Sequence, residues 1–128
     1  MSATTASTPP PAHIAPPQPS GLSDAEYEQR SSALLAKIEA TADRWLDSDQ
    51  IDLDPMRTGG LLELSFPDGS KIIVNTQPPL HEVWLAARAG GYHYRWHDGQ
   101  WMDTRDGTEF WHNLSAQASA QGGCALKF

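Results

Sequence analysis

The stretch LLELSFPDGSKIIVNTQPPLHEVWLA, residues 61–86, decides the fold. Apolar and polar side chains alternate in residues 62–66, which is the period of a half-buried β-strand. Residues 71–77 predict a second strand, with Ile72 and Val74 on one face. The sequence Pro67-Asp68-Gly69-Ser70 between them is typical of a turn, so the two runs predict a β-hairpin. Residues 82–87 predict a further strand.

The segments on either side of this region predict more short strands. Apolar and acidic side chains alternate in residues 51–54, which predicts a strand that Pro55 ends. After a break at Gly90-Gly91, residues 92–96 and 100–103 predict two strands joined by the turn His97-Asp98-Gly99. The connections are short, so we expect a meander of about six strands in which chain neighbours are antiparallel.

Amphipathic helices are predicted at both ends of the meander. Ser23 and Glu26 form a capping-box sequence, and the helix that follows is expected to end at residue 46 or 47. Its predicted buried stripe is Tyr27, Ser31, Leu34, Ile38, Ala42 and Trp45. A second helix is predicted over residues 109–121, with Thr108 as N-cap and Gly122-Gly123 at its end. Its inward side chains are expected to be Phe110 or Trp111, Leu114 and Ala118.

This order of elements predicts the α+β class. We expect a two-layer α/β sandwich with the N- and C-terminal helices packed on one face of a single antiparallel sheet. Residues 1–21 hold six of the ten prolines and no charged residue, and this Pro/Ala/Ser/Thr-rich segment is expected to be a disordered arm. Residues 22–128 are expected to form the one folded domain.

Negative charge is concentrated on the first predicted helix and the segment after it. Residues 22–54 contain nine of the sixteen carboxylates and only three basic residues, and neither His nor Cys. Such an oxygen-rich set suits a hard cation or a basic protein surface, and it repels nucleic acid and anionic lipid. Glu39, Asp43 and Asp47 share one helix face, where their mutual repulsion is a local cost of a kind that often marks function. A solvated acidic face is the alternative.

Strand parity predicts which side chains the sheet shows to solvent. Glu82 and Trp84 share one face of their strand, and a carboxylate is unfavourable in a core, so Trp84 is expected on the open face. The neighbouring strands are expected to add Ile73, Asn75, Gln77 and Arg95 to it. An exposed Trp among such groups is typical of a protein-interaction surface. The alternative is that Trp84 packs under a loop or on Arg95 as a local cover.

Other common sites are not indicated. His93 and His97 are expected on one strand face but roughly 13 Å apart, too far for one metal ion. The single cysteine, Cys124, excludes a thiolate-rich zinc site and indicates a reducing compartment. Glycine motifs for phosphate or dinucleotide binding are lacking, as are basic patches for nucleic acid. No apolar run reaches the roughly 18 to 20 residues of a membrane span, so we expect no membrane partner.

Residues 69–86, GSKIIVNTQPPLHEVWLA, followed by Gly90-Gly91-Tyr92-His93-Tyr94, resemble the signature region of the bacterial frataxins of the CyaY type. The resemblance covers about residues 22–121. It implies a sandwich of two helices on one antiparallel sheet, with weak iron binding (Fe²⁺ or Fe³⁺) through carboxylates of the first helix and first strand. It also implies binding to the cysteine desulfurase and the scaffold protein of iron–sulfur cluster assembly. Carried over residue by residue, the metal-binding set is Glu39, Asp43, Asp47, Asp49, Asp52 and Asp54, which we name the acidic ridge.

The ridge departs from the adjacent carboxylate pairs that bacterial relatives often carry. It is interrupted at Ala40, Arg44, Leu46, Ser48 and Gln50, so weak iron affinity and fewer sites are expected. The first hypothesis is a non-enzymatic, iron-binding regulator of cluster assembly, acting as iron sensor or iron donor. The alternatives are a metal-independent interaction module of the same machinery and a weak ferroxidase or iron-storage protein. We expect a cytoplasmic monomer, with iron-induced oligomers as the alternative state.

Overall fold

The computed structural model describes residues 21–128, so the predicted arm lies outside the described residues except for Gly21. Along the chain, helix α1 (Asp24–Asp47) comes first, six strands follow, and helix α2 (Phe110–Gly122) comes last. The strands are β1 (Asp54–Thr58), β2 (Leu61–Ser65), β3 (Lys71–Gln77), β4 (Glu82–Ala87), β5 (Gly90–His97) and β6 (Gln100–Asp103). They form one antiparallel sheet in the order β1-β2-β3-β4-β5-β6. The buried faces of both helices join the same core against this sheet, which confirms the predicted two-layer sandwich.

Helix α1 begins and packs as its sequence predicts. The Ser23 hydroxyl accepts from the Glu26 N–H at 3.1 Å, and the Glu26 carboxylate accepts from the Ser23 N–H at 2.9 Å, which completes the capping box. Every member of the predicted stripe is buried. Tyr27 also ties the helix to the sheet, because its hydroxyl donates to the Glu82 carbonyl at 2.6 Å and accepts from the Gln77 N–H at 3.0 Å. Burial raises the pKa of this hydroxyl.

The β2–β3 hairpin supplies the centre of the core. Leu62 lies opposite Val74, and Leu64 lies opposite Ile72, with all four side chains fully buried. Val83 and Leu85 of β4 continue the same inward face. Alternate residues of these strands therefore point away from the helices, and they form the second, open face of the sheet.

Helix α2 differs from prediction at its first residue. The N-cap is Glu109 rather than Thr108, because Glu109 accepts from the N–H groups of Trp111 and His112. The Thr108 carbonyl instead accepts from the Asp103 N–H, so sheet-like pairing continues past the predicted cap. Phe110, Leu114 and Ala118 are buried as expected, and Trp111 is only partly buried. The helix ends at Gly122, and the C-cap is Gly123, whose φ of +72° suits glycine.

The strand predicted over residues 51–54 is wrong. Ile51 and Leu53 are buried in the core, but β1 starts only at Asp54, where the predicted strand ended. The alternation of apolar and acidic residues reflects an extended segment that buries two side chains without pairing its backbone. Pro55 lies inside β1, which it can do because β1 is an edge strand paired with β2 alone.

Candidate metal-binding and docking surfaces

The acidic ridge follows the exposed side of α1 and the connection to β1. Glu39, Asp43 and Asp47 occupy successive turns of the helix, with Asp47 as its last residue. Asp49 and Asp52 lie in the connection, and Asp54 opens β1. All six carboxylates are exposed except that of Glu39, which is partly buried. Asp49 has a φ of +57°, a left-handed conformation that Asp adopts more readily than most residues.

One ridge carboxylate is already paired. Arg57 of β1 donates to Glu39 at 2.9 Å, and both side chains are about one-third exposed (30% and 33%). This ion pair bridges the edge strand and the helix, and it places a positive charge beside the ridge. Arg44, one of the residues that interrupt the ridge in the sequence, donates to the Thr41 hydroxyl, whereas Arg57 is bound to a ridge carboxylate.

The ridge carboxylates do not converge on a point. Within residues 21–128, no three Asp, Glu, His or Cys side chains are grouped closely enough to hold one metal ion. Hard cations such as Ca²⁺ and Mg²⁺ prefer oxygen ligands, but tight binding needs several of them around one position. The ridge therefore acts chemically as an extended negative field along one edge of the molecule, with single carboxylates available as ligands.

The open face brings together the side chains that strand parity assigned to it. Asn75 pairs across the strands with Trp84, and Trp84 pairs on its other side with His93. Gln77 lies opposite Glu82, which in turn lies opposite Arg95. Ile73 is two residues from Asn75 on the same face of β3. A shallow cavity of about 150 Å³ lies between Ile73, Asn75, Trp84 and His93.

Glu82 organises the centre of this face. Its carboxylate accepts from the Trp84 indole N–H at 2.9 Å and pairs with the Arg95 guanidinium. The Glu82 side chain is 8% exposed and that of Arg95 is 18% exposed, so this is a largely buried ion pair. The His93 ring stacks on Trp84 with centroids 4.1 Å apart and planes 7° from parallel. The indole is thus fixed by a hydrogen bond at its edge and by a ring against its face.

These contacts change the roles expected from the sequence. Trp84 does lie on the open face, yet Glu82 is buried there beside it rather than being a marker of solvent exposure. Arg95 is engaged with Glu82, and the ring that covers Trp84 is His93 rather than Arg95. From the sequence, His93 was considered only as a metal ligand together with His97, and its contact with Trp84 was not predicted. The signal that could have revealed these contacts was the pairing of β4 with β5, which brings Glu82 opposite Arg95. Opposite charges directly across two antiparallel strands stabilise each other.

Comparison with known proteins agrees with this fold. Residues 20–124 match the family model of the frataxin-like domain. The chain is 50% identical over 107 residues to the iron–sulfur cluster assembly protein CyaY of Variovorax paradoxus (strain S110), covering 84% of this chain and 97% of the relative. It is likewise 50% identical over 107 residues to CyaY of Burkholderia mallei (strain SAVP1), covering 84% of this chain and 98% of the relative.

Two solved structures show the same architecture. Frataxin from Psychromonas ingrahamii has a TM-score of 0.74 and 37% identity, covering 83% of this chain and 97% of that chain. Trimeric frataxin from Saccharomyces cerevisiae, complexed with ferrous, has a TM-score of 0.60 and 21% identity, covering 84% of this chain and 92% of that chain. At that identity the yeast structure supports the fold alone.

The two-layer sandwich, with an acidic first helix and an open sheet face, defines a frataxin-like protein. The chain belongs to the CyaY/frataxin family, which takes part in iron–sulfur cluster assembly, and the resemblance seen in the sequence is confirmed. None of the helices in the described part of the chain is long and apolar enough to cross a membrane.

Proposed function

We propose that this protein binds iron weakly at the acidic ridge and regulates iron–sulfur cluster assembly, as an iron sensor or iron donor. The observation that carries the proposal is the run of six carboxylates along α1 and the start of β1, five of them exposed. Two findings on similar proteins support it. The 50%-identical relatives are iron–sulfur cluster assembly proteins, and the yeast frataxin of similar fold is described as complexed with ferrous.

The expected mode of binding follows from the spacing of the ligands. Separated carboxylates bind Fe²⁺ or Fe³⁺ through one or two oxygens each, with water completing the coordination, so affinity is low and exchange is fast. Iron in this scheme is cargo or signal rather than a resident cofactor. The ion pair between Glu39 and Arg57 occupies one ligand of the set, which leaves the five exposed carboxylates of the ridge as the available ones.

The partners proposed are the cysteine desulfurase and the scaffold protein of the assembly machinery. The open face would supply the contact, with Trp84 at its centre and Ile73, Asn75, Gln77 and Arg95 around it. A Trp with a fixed indole loses little entropy on binding, which favours it as an anchor. The ridge would add electrostatic attraction to a basic partner surface. The cytoplasmic location stays a prediction.

An NMR titration with iron tests the metal part. We expect paramagnetic broadening to begin at the amides of residues 39–54 and to spread only at higher iron. The double variant Asp43→Asn with Asp47→Asn should weaken this broadening. Asp98→Asn with Asp106→Asn removes the same charge from the loops that flank β6, at the far edge of the sheet, and should leave the broadening unchanged. Uniform broadening, or none at millimolar iron, would contradict iron binding at the ridge.

A metal-independent interaction module is the second candidate. Two observations favour it: no three potential ligands in residues 21–128 converge, whereas Trp84 is already held in place. Cluster assembly should be measured with the purified desulfurase and scaffold across iron concentrations, with and without this protein. An effect that grows with iron supports the regulator. An equal effect at every iron concentration, lost on Trp84→Ala, supports the module.

Enzymatic activity is not part of the proposal. A weak ferroxidase or iron-storage role would need ligands arranged around a redox site, and the ridge is an open row of carboxylates without histidine. Oxygen consumption with Fe²⁺ separates this alternative. We expect the rate with the protein to equal the rate with the same concentration of free carboxylate.

A further inference from the structure

Helix α1 carries two basic side chains that stack on tryptophan rings. The Arg30 guanidinium carbon lies 4.6 Å from the centroid of the Trp96 ring, and the Lys37 ammonium lies 4.2 Å from that of Trp111. They are seven residues apart and so share one side of the helix, roughly 10.5 Å from each other along its axis. Glu39, two positions after Lys37, points about 160° away. The acidic ridge and these two bases therefore occupy different sides of α1.

The two bases line a groove between α1, the β5–β6 hairpin and the start of α2. Its volume is about 480 Å³, and Trp96, Trp101 and Trp111 contribute to its walls. The size is that of a ligand pocket. Trp and Arg are also the residues most enriched among the side chains that dominate protein–protein binding energies. We name it the tryptophan groove.

Four of the nine basic side chains form no ion pair with a carboxylate within residues 21–128, and Arg30 and Lys37 are two of them. Arg57, Lys71, Arg88, Arg95 and Arg105 each form an ion pair with a carboxylate. Among residues 21–128, neither Arg30 nor Lys37 has such a pair within 4.0 Å.

Two carboxylates close to these bases accept hydrogen bonds from backbone N–H groups. Glu26, one turn before Arg30, accepts from the Ser23 N–H in the capping box. Glu109, which lines the groove, accepts from the N–H groups of Trp111 and His112 through its two oxygens. Both carboxylates stay charged, and the pKa of Glu26 is lowered by hydrogen bonds from Ser23 and, to a smaller extent, by the charge of Arg30. Neither forms an ion pair with Arg30 or Lys37, so the N–H donors of both bases have no carboxylate acceptor within residues 21–128.

We propose that the tryptophan groove binds an acidic peptide segment of a protein partner. Charge complementarity is the argument for this occupant, because the groove offers two stacked cations beside apolar rings. A peptide in the polyproline II conformation has three residues per turn and advances about 3.1 Å per residue, so two carboxylates three residues apart lie on one side of it about 9 Å apart, close to the axial separation of Arg30 and Lys37. Stacking on the rings restricts both cations in advance, which reduces the entropy lost on binding. The surface is distinct from both the acidic ridge and the open face.

Titration of the full chain with a defined peptide tests the proposal. The probe is acetyl-Ser-Glu-Ala-Leu-Glu-Ser-amide, with its Gln-for-Glu analogue as control, followed by NMR of the indole N–H groups at about 0.1 M salt, where charges are screened over about 10 Å. The acidic peptide should shift the Trp96 and Trp111 indole signals and leave Trp84, on the other face of the sheet, unmoved. The neutral analogue should shift none of them.

Matched variants separate a specific groove from a general effect of charge. Lys37→Gln should weaken peptide binding by about three- to ten-fold, because Lys37 is exposed and its bond to the peptide should contribute only the net strength of an ordinary hydrogen bond. Arg44→Gln removes the same charge seven residues further along α1, where Arg44 contacts Thr41 rather than a ring, and should change binding less than two-fold, about 0.4 kcal/mol. Lys37→Arg should retain binding, and this variant also guards against a folding defect.

Three results would overturn the proposal. The first is the absence of shifts at Trp96 and Trp111 with millimolar peptide. The second is equal weakening by Lys37→Gln and Arg44→Gln, which would mean that only net charge matters. The third is an equal response to sodium acetate at matched carboxylate concentration, which would make the groove a site for small anions rather than for a peptide.

Discussion

Replacing Glu82 by Gln asks whether a buried carboxylate holds the open face together. Glu82 accepts from the Trp84 indole and pairs with Arg95, and both partners of the ion pair are largely buried. Gln keeps an oxygen that can accept from the indole, but it removes the negative charge. Arg95 then remains partly buried without its counter-charge, which is the costly outcome for an ion pair.

The size of the effect follows from burial. Removing one partner of a fully buried pair costs about 3–5 kcal/mol, and an exposed pair contributes about 0–1 kcal/mol. Here the side chains are 8% and 18% exposed, so the Glu82→Gln variant should lose about 1–3 kcal/mol of unfolding free energy. The Arg95 Nε atom is buried without a hydrogen-bond partner, so Glu82 is the main compensation for this guanidinium. That places the expected loss in the upper half of the range.

Urea denaturation of Glu82→Gln, Arg95→Gln and the double variant measures the coupling in a double-mutant cycle. We expect a coupling energy of about 1 kcal/mol or more, together with a shift of the Trp84 indole N–H signal. Glu63→Gln is the control, since Glu63 pairs with Lys71 at 3.0 Å across the same face but is more exposed, and it should cost under about 1 kcal/mol. If Glu82→Gln stays within about 0.5 kcal/mol of the parent chain and the coupling is near zero, the organising role is refuted.

Further predictions concern the acidic ridge, the N-cap of α1 and the turn between β2 and β3. Arg57→Gln releases Glu39, so iron broadening at Glu39 should strengthen while stability falls by under about 1 kcal/mol; Arg105→Gln, at the far edge of the sheet, is the charge control and should leave the broadening as it was. Ser23→Ala removes the capping hydroxyl and should cost about 0.5–2 kcal/mol in urea denaturation. The pKa of Asp68 is lowered to about 2 by hydrogen bonds from Ser70 and by Arg88. Its stabilising contribution should be complete above its unfolded pKa near 3.8 and be lost as pH falls towards 2; an NMR titration midpoint at or above 3.8 would contradict this.

Most of the fold was predictable because its local signals agree with the tertiary structure. The capping box specifies where α1 begins, and the buried stripe of α1 and the parity of the β2–β3 hairpin specify the faces that the core uses. The two errors arose at residues whose side chains indicate one backbone arrangement while their backbone hydrogen bonds follow another. Ile51 and Leu53 alternate like a strand because both pack into the core, yet no neighbouring strand pairs with them. Thr is a residue type that often forms helix N-caps, but the Thr108 carbonyl accepts a hydrogen bond from the Asp103 N–H.

The candidate surfaces were predictable as sets of residues but not as contacts. Parity within one strand gives the face of Trp84 and of Asn75, and it gives no register between strands. The register puts Glu82 opposite Arg95 and Trp84 opposite His93, and these cross-strand contacts fix the indole. The pairing of Arg57 with Glu39 was hidden for the same reason, since it joins residues eighteen positions apart on different elements.

The acidic ridge and the open face differ in how much of their geometry is already formed before a ligand or partner binds, and this difference bears on the proposed function. The charges of the ridge destabilise the free protein slightly, because Glu39, Asp43 and Asp47 repel one another at four-residue spacing. Asp43 and Asp47 also lie near the C-terminal end of α1, where the helix dipole disfavours negative charge. Nothing in residues 21–128 gathers these carboxylates around one position. The open face, by contrast, is held by Glu82 and His93 in advance. Under the proposed function, specific recognition therefore belongs to the open face. The ridge contributes attraction, and a firmly held iron ion requires ligands that only a bound partner can add.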